Sequence, residues 1–243
     1  MTDPATDAKD QFQRHLVANT YPGRGLVLGQ QADGSAWLQV YWIMGRSPNS
    51  QNRVFVAEGT TLRTEPHDAA AALDPSLIIY EAMLELPGLY LVSNGDQTRT
   101  LYDVMQAGGA FESALEMRER EPDAPNYTPR ISGMHDLRGG EAQVALSILR
   151  ANPADPGLTD RTTFRPAPPP PGLGLCLTTY EGDGQPLPPF RGDPRWMPLA
   201  GGVAELADTY WQALDPGHRV ALAVKRIPRD GGPSQVEIRN RHA

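Results

Sequence analysis

The segment from residue 36 to residue 44 is a run of β-forming side chains that is bulky on both faces of a strand. Large side chains at odd positions alternate with equally large ones at even positions, namely Trp37, Tyr41 and Ile43 against Leu38, Val40 and Trp42. A strand of this kind has no face suited to water, so other elements must cover both of its faces. The fold must therefore supply a layer on each side of the sheet that contains this strand.

The rest of the chain predicts many strands and few helices. Apolar and turn residues predict strands over 24–28, 36–44, 53–57, 77–86, 89–93, 130–134, 142–149, 173–180, 220–227 and 235–239. Helical spacing predicts helices over 11–18, 100–106, 111–118 and 203–214. Strands that run separately from the helices favour the α+β class over βαβ winding. A four-layer αββα sandwich would cover both faces of two sheets, while a barrel or a single large sheet also fits this pattern.

The composition excludes several classes of protein. The apolar fraction of 40% and the charged fraction of 21% are typical of a globular chain. A net charge of −7 disfavours a nonspecific nucleic-acid partner, because such proteins present a basic surface. No apolar run approaches the roughly 18 residues that span a membrane, and the acidic residues 1–11 do not resemble a secretory signal. We therefore expect a cytoplasmic protein with no nucleic-acid and no membrane partner.

The sequence lacks the common motifs of metal and nucleotide chemistry. It contains no GxxxxGK[ST] loop, no HExxH pair, no GxSxG turn and no zinc-spaced set of Cys and His. The single cysteine, Cys176, lies in an apolar strand and is expected to be a buried, inert thiol. His135 is interpreted as a solvated or structural histidine rather than as a triad member. We therefore expect no metal and no cofactor.

Four polar segments at the ends of predicted strands are the places where chemistry could occur. They are residues 21–24, 41–53, 92–98 and 121–130. Arg46, Arg53 and Arg130 could hold a phosphate through two hydrogen bonds each. A Ser-Asn-Gly turn before a helix can also offer backbone N–H groups to an anion. Taken alone, each segment is better explained as an ordinary turn or a solvated arginine.

Taken in order along the chain, these segments resemble the archaeal-type IMP cyclohydrolase family. The motifs are YxGR at 21–24, RS…NR ending at Arg53, VSNG at 92–95, TPRI at 128–131 and TYE ending at Glu181. The resemblance spans roughly residues 20–227. It implies one domain over 1–243, with an N-terminal extension at 1–19 and a C-terminal extension at 228–243.

The resemblance also implies a fold and a reaction. The family has an Ntn-hydrolase-like αββα sandwich and closes the purine ring of FAICAR (5-formamidoimidazole-4-carboxamide ribotide) to give IMP and water, within purine biosynthesis and the hydrolase class. The ligand would be a purine nucleotide, bound without metal or cofactor. Arg46 would polarise the formyl oxygen or orient the carboxamide, Tyr80 would donate or relay a proton, and Glu121 would accept the amide proton. Glu119 is the alternative to Glu121.

The same resemblance suggests which residues bind the nucleotide. They are Tyr21, Arg24, Ser47, Asn52, Arg53, Ser93, Asn94, Gly95, Thr128 and Arg130. Two other functions stay open at this point. One is an amidohydrolase of C–N bonds, which needs a nucleophile at a mature N-terminus, and the other is a nucleotide-binding protein without catalysis. Thr2 would become that terminus if Met1 were removed, but it lies in a polar tail about 20 residues before the first predicted strand, which disfavours it. Whether the chain forms a homo-oligomer also stays open.

Overall fold

The computed structural model describes residues 3–71 and 79–242. Thr2 and the first two residues of the strand predicted over 77–86 lie outside these ranges. In the described part, the strands are β1 (Gly25–Gln30), β2 (Ala36–Met44), β3 (Val54–Glu58), β4 (Thr61–Glu65), β5 (Glu81–Leu86), β6 (Leu89–Ser93), β7 (Arg130–Asp136), β8 (Gln143–Ala151), β9 (Thr159–Phe164), β10 (Leu173–Thr178), β11 (Arg195–Pro198), β12 (Arg219–Pro228) and β13 (Gln235–Asn240).

These strands form two antiparallel sheets. One has six strands in the order β11-β10-β1-β2-β12-β13, and the other has seven in the order β3 to β9. The helices are α1 (Pro4–Phe12), α2 (Pro48–Gln51), α3 (Gln97–Gln106), α4 (Phe111–Glu116) and α5 (Val203–Ala213), with a π-helical turn at Gln13–Val17 and a 3₁₀ turn at Ala69–Ala71. None of the described helices is long and apolar enough to cross a membrane.

Three apolar clusters define four layers. The first lies between the sheets, where Tyr41 and Ile43 of β2 pack with residues of the seven-stranded sheet such as Val92 and Leu146. The second joins the outer face of the six-stranded sheet to α5 and to the π-helical turn. The third joins the outer face of the seven-stranded sheet to α3 and α4. The predicted α+β class and αββα layering are therefore confirmed, and every residue of β2 is buried, as its pattern requires.

The N-terminus differs from the expected pattern, whereas the C-terminal strand was predicted over 235–239. The first helix begins at Pro4 rather than near residue 11, and Phe12 packs edge-on against Tyr210 of α5 at 5.1 Å between ring centroids. The segment expected to be a C-terminal extension contains β13, which adds an edge strand beside β12. Both ends therefore complete layers of the sandwich.

Two isolated titratable side chains of the interior are neutral. Burial raises the pKa of the free Cys176 thiol to about 12, in agreement with an inert cysteine. His135 is completely buried between the sheets, where it packs on Trp37 with 5.3 Å between ring centroids. Burial lowers the pKa of His135 to about 3. His135 is therefore a structural histidine.

This burial makes the stability of the protein dependent on pH. The unfolded chain binds a proton at His135 near pH 6.5, whereas the folded protein binds it near pH 3. The free energy of unfolding is therefore expected to fall as the pH drops from 6.5 towards 3, by about 1.4 kcal/mol per unit at most from this residue. Urea unfolding at several pH values should show that the free energy of unfolding declines less steeply with falling pH in His135→Leu than in the natural protein. The matched change His67→Leu, at an exposed site, should leave the slope unchanged, and equal slopes in all three proteins would contradict this role.

Candidate active site

A cavity of about 410 Å³ opens at one end of the sandwich. It lies where β1 begins, β2 ends, β7 begins and β10 ends, so loops from both sheets contribute to its walls. Its lining residues are Tyr21, Arg24, Met44, Arg46, Ser47, Asn49, Ser50, Arg53, Glu121, Asp123, Asn126, Thr128, Tyr180 and Leu187. Antiparallel pairing brings these segments together although they are far apart in the chain.

Many of the residues predicted from the sequence meet in this cavity. They are Tyr21, Arg24, Arg46, Ser47, Arg53, Glu121 and Thr128. The remaining predicted residues do not line it, namely Asn52, Tyr80, Ser93, Asn94, Gly95 and Arg130. Three of the four polar segments therefore reach the cavity, and the VSNG segment lies behind it.

A buried ion pair forms one wall. Arg24 Nη2 donates to Glu121 Oε2 at 2.9 Å, and Arg24 Nη1 donates to the carbonyl of Asn94 at 2.9 Å. The two side chains are only 10% and 5% exposed. A buried charge pair of this kind holds each partner firmly, because separation would leave an unpaired charge in a dry environment. The Glu121 carboxylate is thus fixed at the wall of the cavity.

The VSNG segment and Arg130 support that wall from behind. Asn94 Oδ1 accepts hydrogen bonds from the Ile131 N–H and from Gln97 Nε2. Arg130 Nη1 donates to Asp96 Oδ1 and Gln97 Oε1, both at 2.7 Å. A Cβ atom at Gly95 would come within 2.6 Å of Arg130 Nη1, so a larger residue there would displace the Arg130 guanidinium from this position. Asn94 therefore contacts Arg24 through its carbonyl and serves as scaffold in this arrangement.

Two other predicted residues make contacts away from the lining. Ser93 Oγ donates to Ser132 Oγ at 3.0 Å within the seven-stranded sheet. Asn52 Nδ2 donates to the Asp68 carbonyl at 2.7 Å, and Asn52 Oδ1 accepts from the Asp68 N–H. Both side chains therefore hold protein segments together in this structure.

Arg53 and Arg46 differ strongly in environment. Arg53 is 3% exposed, and it donates to the carbonyls of Ser50 and Met44 at 2.8 and 3.2 Å. Within the described ranges it has no carboxylate partner. Burial lowers the pKa of Arg53, so its charge is incompletely compensated. A buried cation of this kind favours an anion or a carbonyl oxygen in the cavity.

Arg46 lies at the exposed mouth of the cavity instead. Its Nη1 donates to Asp183 Oδ1 at 2.7 Å and to the Gly184 carbonyl at 3.0 Å. Its guanidinium also lies over the ring of Tyr21, 5.1 Å from the centroid. A ligand that used Arg46 would therefore compete with Asp183 for it.

Tyr80 lies just behind the lining. It is 7% exposed, and its hydroxyl is 2.6 Å from the hydroxyl of Tyr41. Its neighbours include Arg24 and Arg53, and all three side chains are buried beside the cavity.

Sequence reasoning missed several lining residues. Tyr180 lies in the TYE motif and Asp123 in the polar segment 121–130, but neither was predicted as a site residue. In the structure, Thr128 Oγ1 donates to Asp123 Oδ2, and the Tyr180 hydroxyl lies 2.6 Å from Thr128 Oγ1. The position of Tyr180 inside the TYE motif was the available signal.

Comparison with known proteins gives a match to one family model. The family model described as "IMP cyclohydrolase-like protein" matches residues 21–231 of the 243. No protein of curated function matches the chain significantly. The match contains every residue that lines the cavity. The chain belongs to the IMP cyclohydrolase-like family.

Proposed function

We propose that this protein catalyses the dehydrative closure of FAICAR to IMP in the purine biosynthesis of the cytoplasm. The observation that carries the proposal is the joint presence of a fixed carboxylate, Glu121, and an incompletely compensated buried cation, Arg53, in one cavity. Ring closure needs an acceptor for an amide proton and a donor for a developing negative oxygen. These two groups supply both requirements.

The chemistry itself is intramolecular. The carboxamide nitrogen of FAICAR attacks the formyl carbon, which forms one C–N bond and places negative charge on the formyl oxygen. The nitrogen gives up one proton, the formyl oxygen takes up protons and leaves as water, and the former formamide nitrogen loses its hydrogen. Because the nucleophile is already tethered, the protein mainly has to fold the two amide arms together.

We assign the roles from the environments of the side chains. Glu121 accepts the carboxamide proton as the new bond forms. Arg53 donates to the formyl oxygen, since its guanidinium has no competing carboxylate in the described chain. Tyr80, linked to Tyr41 by a hydroxyl contact of 2.6 Å, donates or relays a proton.

The nucleotide's phosphate is assigned to the mouth of the cavity. Arg46 is exposed there beside Ser47, and its partner Asp183 is exposed as well. Arg46 can therefore exchange Asp183 for the phosphate with little desolvation. In this arrangement Arg46 orients the substrate rather than polarising the formyl group. The role that the family resemblance gave to Arg46 thus passes to Arg53 in our proposal.

The proposal predicts ring closure by the purified protein alone. We expect FAICAR to be converted to IMP, followed by absorbance and by chromatography, at the same rate with and without a chelator. Thermal stabilisation by IMP without any turnover would instead indicate a nucleotide-binding protein. Absence of both closure and stabilisation, in a protein shown to be folded, would contradict the proposal.

A further inference from the structure

Tyr180 forms part of the cavity wall and its hydroxyl proton has a fixed direction. Thr128 donates its single hydroxyl proton to the carboxylate of Asp123, whose other oxygen accepts the Thr128 N–H at 2.7 Å. A carboxylate has no proton to return, so Thr128 Oγ1 can only accept from Tyr180 at 2.6 Å. The Tyr180 hydroxyl therefore donates its proton to Thr128 Oγ1.

The oxygen of Tyr180 is consequently an acceptor for any ligand in the cavity. Burial raises the pKa of Tyr180 well above its ordinary value, so the group stays protonated and keeps donating to Thr128. The ring is also fixed in place, since it stacks on Tyr21 with 6.0 Å between centroids. A neutral, rigid acceptor selects a ligand with an N–H or O–H at that position.

Glu121 provides a second acceptor nearby. Its N–H donates to the Thr128 carbonyl at 3.0 Å, so the two residues are backbone neighbours. Arg24 pairs with Glu121 and is also close enough to Tyr180 to influence its pKa. Two acceptors around one arginine match the two N–H groups of a primary carboxamide. The 2′- and 3′-hydroxyls of the ribose also offer two protons, but from two separate oxygens, and deoxy ribotides distinguish that arrangement.

We propose that Tyr180 is a specificity-determining residue that accepts a hydrogen bond from the carboxamide N–H₂ of the substrate. In this role it holds one N–H while Glu121 takes the other, which turns the nitrogen lone pair toward the formyl carbon. The inference rests on the proposed function, because it assigns an atom of that substrate. In this role, Tyr180 is the side chain that distinguishes a ribotide with a carboxamide from a ribotide without one.

The test compares two ribotides that differ in this group. We expect Tyr180→Phe to bind 5-aminoimidazole-4-carboxamide ribotide about tenfold more weakly than the natural protein. Binding of 5-aminoimidazole ribotide, which lacks the carboxamide, should change less than about twofold. Tyr210→Phe is the matched control, because the Tyr210 hydroxyl donates to the Pro198 carbonyl and neither residue lines the cavity. It should leave both affinities unchanged.

A second variant tests the direction of the proton. Thr128→Val keeps the phenol but removes its acceptor, so the Tyr180 proton is free to point into the cavity. We expect this variant also to lose affinity for the carboxamide ribotide by about tenfold. Equal affinity of the natural protein and Thr128→Val for this ligand would show that the fixed proton direction is not used.

Three outcomes overturn the inference. The first is that Tyr180→Phe loses affinity for both ribotides equally, and the second is that it loses no affinity for the carboxamide ribotide. The third is that Tyr180→Phe and the natural protein bind a 2′-deoxy or 3′-deoxy form of the carboxamide ribotide equally well, which would assign the hydrogen-bond donor to the ribose. Because these titrations need no turnover, they decide the role of Tyr180 even where FAICAR closure fails and the proposed function is contradicted.

Discussion

Replacing Glu121 with glutamine is expected to slow FAICAR closure by about 100-fold or more, whereas the same change at Glu119 leaves the rate within about twofold. The two glutamates lie two positions apart in the sequence but face different surroundings. Glu121 is buried at the cavity wall, while the Glu119 side chain is 61% exposed and pairs with Arg161 on the surface. Glutamine preserves shape and removes the ability to accept a full proton. Single-turnover rates of the two variants provide the comparison.

The same substitution is expected to reduce stability. Without Glu121, the buried guanidinium of Arg24 keeps its charge and loses its partner. Breaking a buried pair from one side typically costs about 3–5 kcal/mol, so rates must be recorded well below the midpoint of thermal unfolding of each variant. A larger rate loss in Glu119→Gln than in Glu121→Gln would reverse our assignment of the proton acceptor.

Arg53→Met is expected to reduce kcat/KM for FAICAR by about 100-fold or more while changing the free energy of unfolding by less than about 1 kcal/mol. The catalytic loss follows because methionine fills a similar volume but cannot donate to the developing oxyanion. The small effect on stability follows because the lost hydrogen bonds to two carbonyls are offset by removal of an incompletely compensated buried charge. Kinetics and urea unfolding of the same preparation measure both quantities.

Arg46→Met is the matched control at the mouth of the cavity. Because Arg46 is exposed and paired with Asp183, its loss should raise KM by about tenfold and leave kcat nearly unchanged, the signature of weaker substrate binding. A loss of kcat confined to Arg46→Met, with Arg53→Met fully active, would restore the role that the family resemblance gave to Arg46.

The extent to which the sequence predicted the fold depended on how apolar each element is. The bounds of β2 were predicted without error, since a strand buried on both faces has a strong local pattern. Strands β4, β9 and β11 were missed. Strand β4 reads TLRTE and has only two buried residues, β9 reads TDRTTF and is an edge strand with no buried residue, and β11 has four residues. Such strands depend on a neighbour for their pairing, so their own residues carry little signal.

The candidate site was predictable as a set of segments but not as a set of contacts. The polar loops could be recognised because each interrupts an apolar strand. The pairing of Arg24 with Glu121 joins residues 97 positions apart, which no local pattern can indicate. The sequence also could not distinguish a side chain that faces a cavity from one that supports it. Asn94 therefore looked like a ligand-binding residue, although its amide bonds to Pro129 and Ile131.

The course of β2 has a consequence for how acid inactivation should be interpreted. This strand begins beside the His135 contact at Trp37 and ends at Met44 in the cavity, a span of roughly 23 Å at the usual rise of a strand. Proton uptake by His135 therefore acts far from the reacting atoms and reaches them only by melting the sandwich. Loss of the fold would then be one cause of the acidic limb of an activity profile, beside protonation of the proposed base Glu121, and the part caused by unfolding would shift to lower pH when His135 is replaced by an apolar residue.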